Sequence, residues 1–364
     1  MIMEIKTLSH IQFKDPAFRC GIFPGVTRLA DGSLLMLFVA GDEFESADQH
    51  IVQARSCDNG KSWQLDGAIH DRAELNFAMP FNDCAKPTLM ENGELLALGY
   101  GFFRDRPDMD LSSYAEQFGH FPESKNFTLR SSDNGKSWSR HEFIEHGYIG
   151  LETSGPALKL ANGELLFFAP PFGVQAGEQI GLCFNGGKDG RVWQEIGQFA
   201  HTPDIASWEI RACQLDSGRI VLILWAFDLK NQRHLNNRIC YSDDNGKSWS
   251  EPLDIQLPGQ ASGILKLEDE SFFVLQTRRE GAECGLFLTR LELSSSGKLT
   301  NCGGNWVMRA SNLASAGGNI ERQFCSLKFG QPSMLPLGGN EYLVVYWQAE
   351  GDIYQIQSRI VQVS

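Results

Sequence analysis

The stretch Ser56-Cys57-Asp58-Asn59-Gly60-Lys61-Ser62-Trp63 recurs as Ser131-Ser132-Asp133-Asn134-Gly135-Lys136-Ser137-Trp138 and as Ser242-Asp243-Asp244-Asn245-Gly246-Lys247-Ser248-Trp249. Three copies of S-x-D-x-G-x-x-W in one chain mark an internal repeat, and a repeat constrains a fold more tightly than any single element. Ser and Asp side chains suit hydrogen bonds to the turn's own amides, and Gly suits a positive φ. Trp then closes the turn by packing its ring back on the sheet. Each copy reads as a tight turn between two strands.

A second pattern accompanies it. Leu29-Ala30-Asp31-Gly32-Ser33-Leu34-Leu35, Met90-Glu91-Asn92-Gly93-Glu94-Leu95-Leu96, Leu160-Ala161-Asn162-Gly163-Glu164-Leu165-Leu166 and Leu215-Asp216-Ser217-Gly218-Arg219-Ile220-Val221 share one layout. It decays at Leu267-Glu268-Asp269-Glu270-Ser271-Phe272-Phe273 and Leu337-Gly338-Gly339-Asn340-Glu341-Tyr342-Leu343. A turn residue between apolar runs is a hairpin signal. The turns at 32, 93, 163, 218, 270 and 340 lie 52 to 70 residues apart, so six similar units fill the chain. In the first unit strands are expected over 25–30, 33–39, 50–56 and about 64–68. Four antiparallel strands repeated radially form a propeller blade, and a closed ring leaves no long edge exposed. The expected fold is therefore all-β, a six-bladed β-propeller of four-stranded antiparallel blades, as one domain over 1–364. The box is degraded at Gly186–Trp193 in unit three and barely traceable at Ser294–Gly297 in unit five.

The chain has 364 residues, 42% hydrophobic, with a net charge of −13 and no Lys/Arg run, which argues against a nucleic-acid partner. No stretch approaches 18 apolar residues, and the polar start MIMEIKTLSHIQFKDP lacks a secretory core, so no membrane span and a cytoplasmic location are expected. Nine scattered cysteines (20, 57, 84, 183, 213, 240, 284, 302 and 325) without a C-x-x-C pair read as reduced thiols. Neither a metal site nor a cofactor loop is expected. Gly186-Gly187 and Gly303-Gly304 lie in turn contexts with no following helix.

The three boxes resemble the Asp-box, or BNR repeat, of the sialidase superfamily of six-bladed propellers, and the resemblance covers essentially the whole chain. It implies that the boxes lie at the outer rim, so Asp58, Asp133 and Asp244 are structural. It places the substrate face on the loops between blades and on those joining the second and third strands of a blade. The longest of the latter, 101–126 in blade two, is a possible lid and equally well a surface insertion.

The resemblance also implies a set of catalytic groups: three arginines on the sugar carboxylate, a tyrosine nucleophile with its activating glutamate, and an aspartate acid/base. Guanidinium forks match a carboxylate bidentately, which gives the clamp its logic. This chain departs from the set. The blade-one Arg-Ile-Pro position reads Ile22-Phe23-Pro24, Trp225 stands near the second arginine's place, and Gly330-Gln331-Pro332-Ser333 contains no tyrosine. Glu209, nine residues before Gly218, has the spacing of the activating glutamate. The remaining candidates are Asp48 and Glu45 for acid/base work, and Arg19, Arg211, Arg278 and Arg279 for anionic groups. Asp83 and Glu152 join them as substrate-binding residues. Lys86, Asp204, Glu321, Arg322 and Lys328 add further charge to the inter-blade loops.

The leading expectation is a sialidase-like glycoside hydrolase with a carbohydrate partner, acting on an acidic or polar sugar through Glu209 and Asp48. A lyase or other non-hydrolytic sugar enzyme would need a base, for which His50, His201 and His234 are available. A binding propeller without turnover would stack sugars on Trp208, Trp225, Phe102, Phe103 and Trp347.

Overall fold

A computed structural model describes residues 3–13, 17–172, 177–310, 323–324 and 326–364. Glu321, Arg322 and Cys325 lie outside the described residues. The architecture is all-β: three sheets have four antiparallel strands, a fourth adds a two-residue strand, Arg233–His234, to the same pattern, and a fifth has eight strands. Unit one pairs Cys20–Arg28, Leu34–Gly41, His50–Ser56 and Gln64–Ala68 in that order, close to the expected spans. Unit two is Phe81–Leu89, Leu95–Phe103, Ser124–Ser131 and Glu142–Phe143, and unit three is Leu158–Lys159, Leu165–Ala169, Gly181–Asn185 and Gln194–Phe199. Unit four orders Ile205–Gln214, Ile220–Asp228, Asn236–Ser242 and Leu253–Pro258. Unit five is Ser262–Lys266, Ser271–Arg278, Gly285–Leu293 and Leu299–Arg309.

The sixth unit takes its outer strand from the other end of the chain. Phe329–Gly338, Glu341–Glu350 and Ile353–Val363 are followed in space by Ile5–Phe13, which pairs antiparallel with Ile353–Val363 from Ile5↔Val363 to Phe13↔Ile356. A single parallel pairing, Cys20↔Tyr354, links this unit to unit one and makes the eight-stranded sheet. The N-terminal strand was not foreseen. Its sequence, Ile-Lys-Thr-Leu-Ser-His-Ile-Gln-Phe, buries no residue fully, so no apolar run announces it.

The core lies between neighbouring units. Leu35 and Leu37 pack with Ala97 and Leu129, Leu96 and Leu98 with Phe167 and Phe184, and Leu166 and Phe168 with Leu222 and Leu224. Val221 and Ile223 meet Phe272 and Val274, Leu275 and Leu286 meet Val344 and Tyr346, and Leu343 and Val345 return to Met36 and Phe38. The second strand of each unit is consequently buried on both faces over most of its length, which explains the unbroken apolar runs within strands such as Leu34–Gly41 and Ile220–Asp228.

The boxes supply a polar lock at these interfaces. In the first, Asp58 Oδ1 accepts from Ser56 Oγ at 2.8 Å and from Ser62 N at 2.8 Å, while Ser56 Oγ accepts from Gly60 N at 2.8 Å. The same bonds recur around Asp133 and Asp244. Two successive residues, Asn59 and Gly60, take positive φ (59° and 82°), as do Asn134–Gly135 and Asn245–Gly246. Gly is required because each box leans on the preceding unit: a Cβ at Gly60 would lie 2.8 Å from Leu343 Cδ1, and one at Gly246 would lie 2.8 Å from Cys183 Sγ. Trp63 and Trp138 reach further than their own sheet, donating to Ser358 Oγ (3.0 Å) and Gln53 Oε1 (2.9 Å) of the neighbouring unit.

The hairpin turns carry positive φ at Gly32, Gly93, Gly163, Gly218 and Glu270; in the last unit the left-handed residue is Gly339 rather than Asn340. The 101–126 segment is only partly loop. Residues 101–103 and 124–126 continue strands, and between them sits the helix Leu111–Phe118, capped by Asp110, whose side chain accepts from Ser113 N at 2.7 Å.

Candidate active site

The first strand of a unit is interrupted by a bulge in units one, four and six, between Ile22 and Gly25, Trp208 and Arg211, and Gly330 and Ser333. Each bulge holds a non-glycine residue at positive φ: Phe23 (55°), Glu209 (52°) and Gln331 (41°). Bulges re-aim side chains, and such backbone persists where the surroundings enforce it. All three residues line one cavity, to which every one of the six units contributes. Each stands nine residues before the hairpin turn of its unit, at 32, 218 and 340.

Glu209 is 8% exposed, with its carboxylate held from two sides. Arg211 Nη2 donates to Oε2 at 3.0 Å, and Gln331 Nε2 donates to Oε1. Glu152, from the loop leading into unit three, is equally buried, and its Oε1 accepts the backbone N–H of Glu209 at 3.1 Å. Burial, then the nearby Glu209 carboxylate, pushes the Glu152 carboxyl well above the ordinary range. One carboxyl is thus built to keep its proton beside another that is paired with a cation.

Two more carboxyl groups reach the cavity. Asp83 Oδ2 lies 2.8 Å from His141 Nε2, and that imidazole is enclosed by Phe77, Phe81 and Phe127. Glu45, at φ 60°, accepts from Ser112 N (2.9 Å) and Ser112 Oγ (2.8 Å). Glu45 therefore ties the helix Leu111–Phe118 to unit one, and Leu111 and Ser112 form part of the cavity wall. Arg104 backs the same wall, donating to Glu45 O at 2.9 Å.

The cationic lining among the described residues is Arg279 alone. It is 2% exposed, donates to Phe329 O (2.8 Å) and Gln260 Oε1 (2.6 Å), and packs Nη2 where a Gly330 Cβ would stand. Burial brings its guanidinium down to about 9. The other walls are aromatic: Phe23, Phe44 and Trp347 form one cluster, and Trp208, Trp225 and Phe324 another. Tyr100 stands with Phe102 and Phe172, and burial, with Cys84, Glu152 and Glu209 nearby, raises its hydroxyl well above the ordinary value.

Of the residues singled out from sequence, the fold brings together Glu209, Glu152, Asp83, Arg279 and Glu45, with Trp208, Trp225, Phe102 and Trp347. Among the described residues it does not bring in the rest. Asp48 caps its own loop, accepting from Asp42 N at 2.9 Å and from Ser46 Oγ, and does not line the cavity. Glu45 takes the place expected for it. Arg19 is exposed beside the first strand. Arg278 stacks on Phe287, 3.8 Å from the ring centroid, and hydrogen-bonds Gln276. Arg211 is beneath Glu209, bonded to Ser154 Oγ at 2.8 Å. Among the described residues the expected arginine clamp is accordingly not assembled. His50, His201, His234 and Phe103 also stay off the cavity wall; His234 braces Trp225 by accepting from its Nε1 at 3.0 Å.

Sequence reasoning missed Tyr100, Asn82, Gln331 and His141. Gln331 carried a signal, the nine-residue spacing shared with Glu209, which a search for tyrosine passed over.

Compared with solved structures, the chain superposes on a protein of unknown function from Dyadobacter fermentans with a TM-score of 0.77 at 17% identity, covering 99% of both chains. A Hadza microbial sialidase matches with a TM-score of 0.69 at 13% identity over 94% of this chain. Trypanosoma rangeli sialidase in complex with sialic acid matches with a TM-score of 0.66 at 14% identity over 99% of this chain. The fold is sialidase-like. The chain spans 66% and 58% of the lengths of those two sialidases. No protein-family model and no curated protein matches the chain. Among the described residues of this sialidase-like chain, no helix is long and apolar enough to cross a membrane, and no group of three or more His, Cys, Asp or Glu side chains is placed to hold a metal ion.

Proposed function

We propose that the chain is a single-domain six-bladed propeller and a glycoside hydrolase acting on a polar, uncharged sugar. The ring reading is supported by the cyclic order of the interfaces, in which unit six packs on unit one, and by a cavity that all six units line. A narrower cavity behind it is likewise lined from every unit.

The observation that carries the chemical reading is the buried Glu152–Glu209 contact. Glycoside cleavage needs one carboxyl to protonate the leaving oxygen and a second, ionised, to act at the anomeric carbon or on water. Glu152, its proton retained by burial, supplies the first. Glu209, held by Arg211 and Gln331, supplies the second. The aromatic walls offer faces on which a sugar ring stacks, and Asp83 and Asn82 offer hydrogen bonds to hydroxyls. With Arg279 as the one lining cation among the described residues, against the carboxylates of Asp83 and Glu209, the cavity favours a neutral sugar over a carboxylated one.

The test is a panel of sialosides, uronides and neutral glycosides incubated with the wild type and with Glu152→Gln, products read by mass spectrometry. Release of a neutral sugar, lost in the variant, is expected. Preferred cleavage of sialosides would overturn the substrate class. Binding of neutral sugars without release of any product would replace the hydrolase by a sugar-binding propeller.

A further inference from the structure

Behind the cavity, on the far side of Glu209, the innermost strands enclose a second space with a cavity volume of about 110 Å³, roughly half the 210 Å³ of the first. Its wall contains Pro24, Pro87, Pro156 and Pro332, one from each of four units. Proline has no backbone N–H, so these positions give a polar ligand no donor. The donors come instead from three side chains: Lys86, Arg211 and Ser333.

Lys86 is 4% exposed, and among the described residues its one hydrogen bond goes to Phe23 O. No carboxylate is within ion-pair reach of it there, and Arg211 repels it. Arg211 spends Nη1 on Ser154 and Ile210 and Nη2 on Glu209, so the single Glu209 carboxylate faces two buried cations. Buried charge is retained where it is paired or used. The backbone makes room for the Lys86 stem, because a Cβ at Gly25 would lie 2.6 Å from Lys86 Cδ. A side chain is thus given up at Gly25 so that Lys86 can stand beside Arg211 with one counter-charge between them.

We propose that this axial space is a binding site for a small monovalent inorganic anion of halide size, held by Lys86, Arg211 and Ser333. The anion supplies the second counter-charge, and it sits on the opposite side of Arg211 from Glu209. The volume admits an ion with a few waters and excludes a sugar, so the site is separate from the cavity above it and independent of turnover.

The test uses the intact chain crystallised from sodium bromide, with data collected at the bromine absorption edge. An anomalous peak within contact distance of Lys86 Nζ and Ser333 Oγ is expected, absent from Lys86→Met. In solution, the thermal midpoint of the wild type should rise by a few degrees in bromide over gluconate at equal ionic strength. Lys86→Met should lose that rise, and Ser333→Ala should weaken bromide binding severalfold with the fold intact. Ordinary water density without anomalous signal, or a midpoint rise that both variants keep in full, overturns the proposal.

Discussion

Glu152 Oε1 and the backbone N–H of Glu209 are 3.1 Å apart, so the carboxyl from the loop leading into unit three meets the backbone of unit four where its strand bulges. The bulge sets φ of Glu209 at 52° and turns its side chain toward the cavity, while its amide stays available to Glu152. Local backbone geometry and the electrostatics of the pair are therefore one feature.

The pair makes stability depend on pH in a defined direction. The Glu152 carboxyl keeps its proton in the folded chain above its ordinary value of 4.5, because burial and Glu209 disfavour its charge. Above that value the folded state binds the extra proton and the unfolded state does not, so this group lowers stability as pH rises. Glu152→Gln should gain stability relative to the wild type as pH increases from about 5 to 8. Thermal melts across that range check it; a constant gap between the two proteins would refute it.

The boxes should govern stability and leave turnover alone. Asp133 accepts from Ser131 and Ser137, and these bonds hold its carboxyl down to about 2. Asp133→Ala should cost about 1–2 kcal/mol in urea unfolding with kcat/KM unchanged on whichever glycoside is cleaved. Gly135→Ala should cost more, because φ is +77° and the new methyl meets Leu35 of the neighbouring unit.

One carboxylate oxygen, Glu45 Oε2, ties the insertion helix to unit one. Glu45→Ala removes the acceptor of both Ser112 hydrogen bonds and should loosen residues 104–123. Faster amide exchange there, together with a raised KM, is the expected result. Exchange unchanged from the wild type would mean that Arg104 and the apolar contacts of Leu111 hold the helix without Glu45.

Removal of residues 1–13 should abolish cooperative unfolding. The outer edge of Ile353–Val363 would lose its partners from Ile356 to Val363, and edges of that kind invite misassembly. Light scattering on the truncated chain, against a monodisperse full-length control, reads the outcome.

Fold and site were legible in the sequence to different degrees, for physical reasons. The hairpins announced themselves because a left-handed turn demands Gly, as at Gly32 and Gly93, and because double-sided burial demands apolar runs such as Leu34–Val39. Ile5–Phe13 was silent because it covers an edge with half-exposed residues. At the site, Glu209, Glu152, Asp83 and Arg279 stood out as charges beside the inner strands. Of the two carboxylates read from one loop, Glu45 reaches the cavity and Asp48 does not, and a loop's sequence does not say which side chain caps it. Arg278 and Arg279 are adjacent, so one lines the cavity while the other stacks on Phe287, and only the strand's register decides which. Gln331 was invisible to a search by residue type and visible to one by position.

The account rests on Glu209 acting at the anomeric carbon or on the attacking water. Hydrolysis of a neutral glycoside in ¹⁸O-labelled water by the wild type and by Glu209→Gln tests this most directly. The prediction is label in the released sugar from the wild type and a rate lower by about 10²–10⁴-fold in the variant. Label released at the same rate by both proteins, or an unlabelled product lighter by one water, would contradict it.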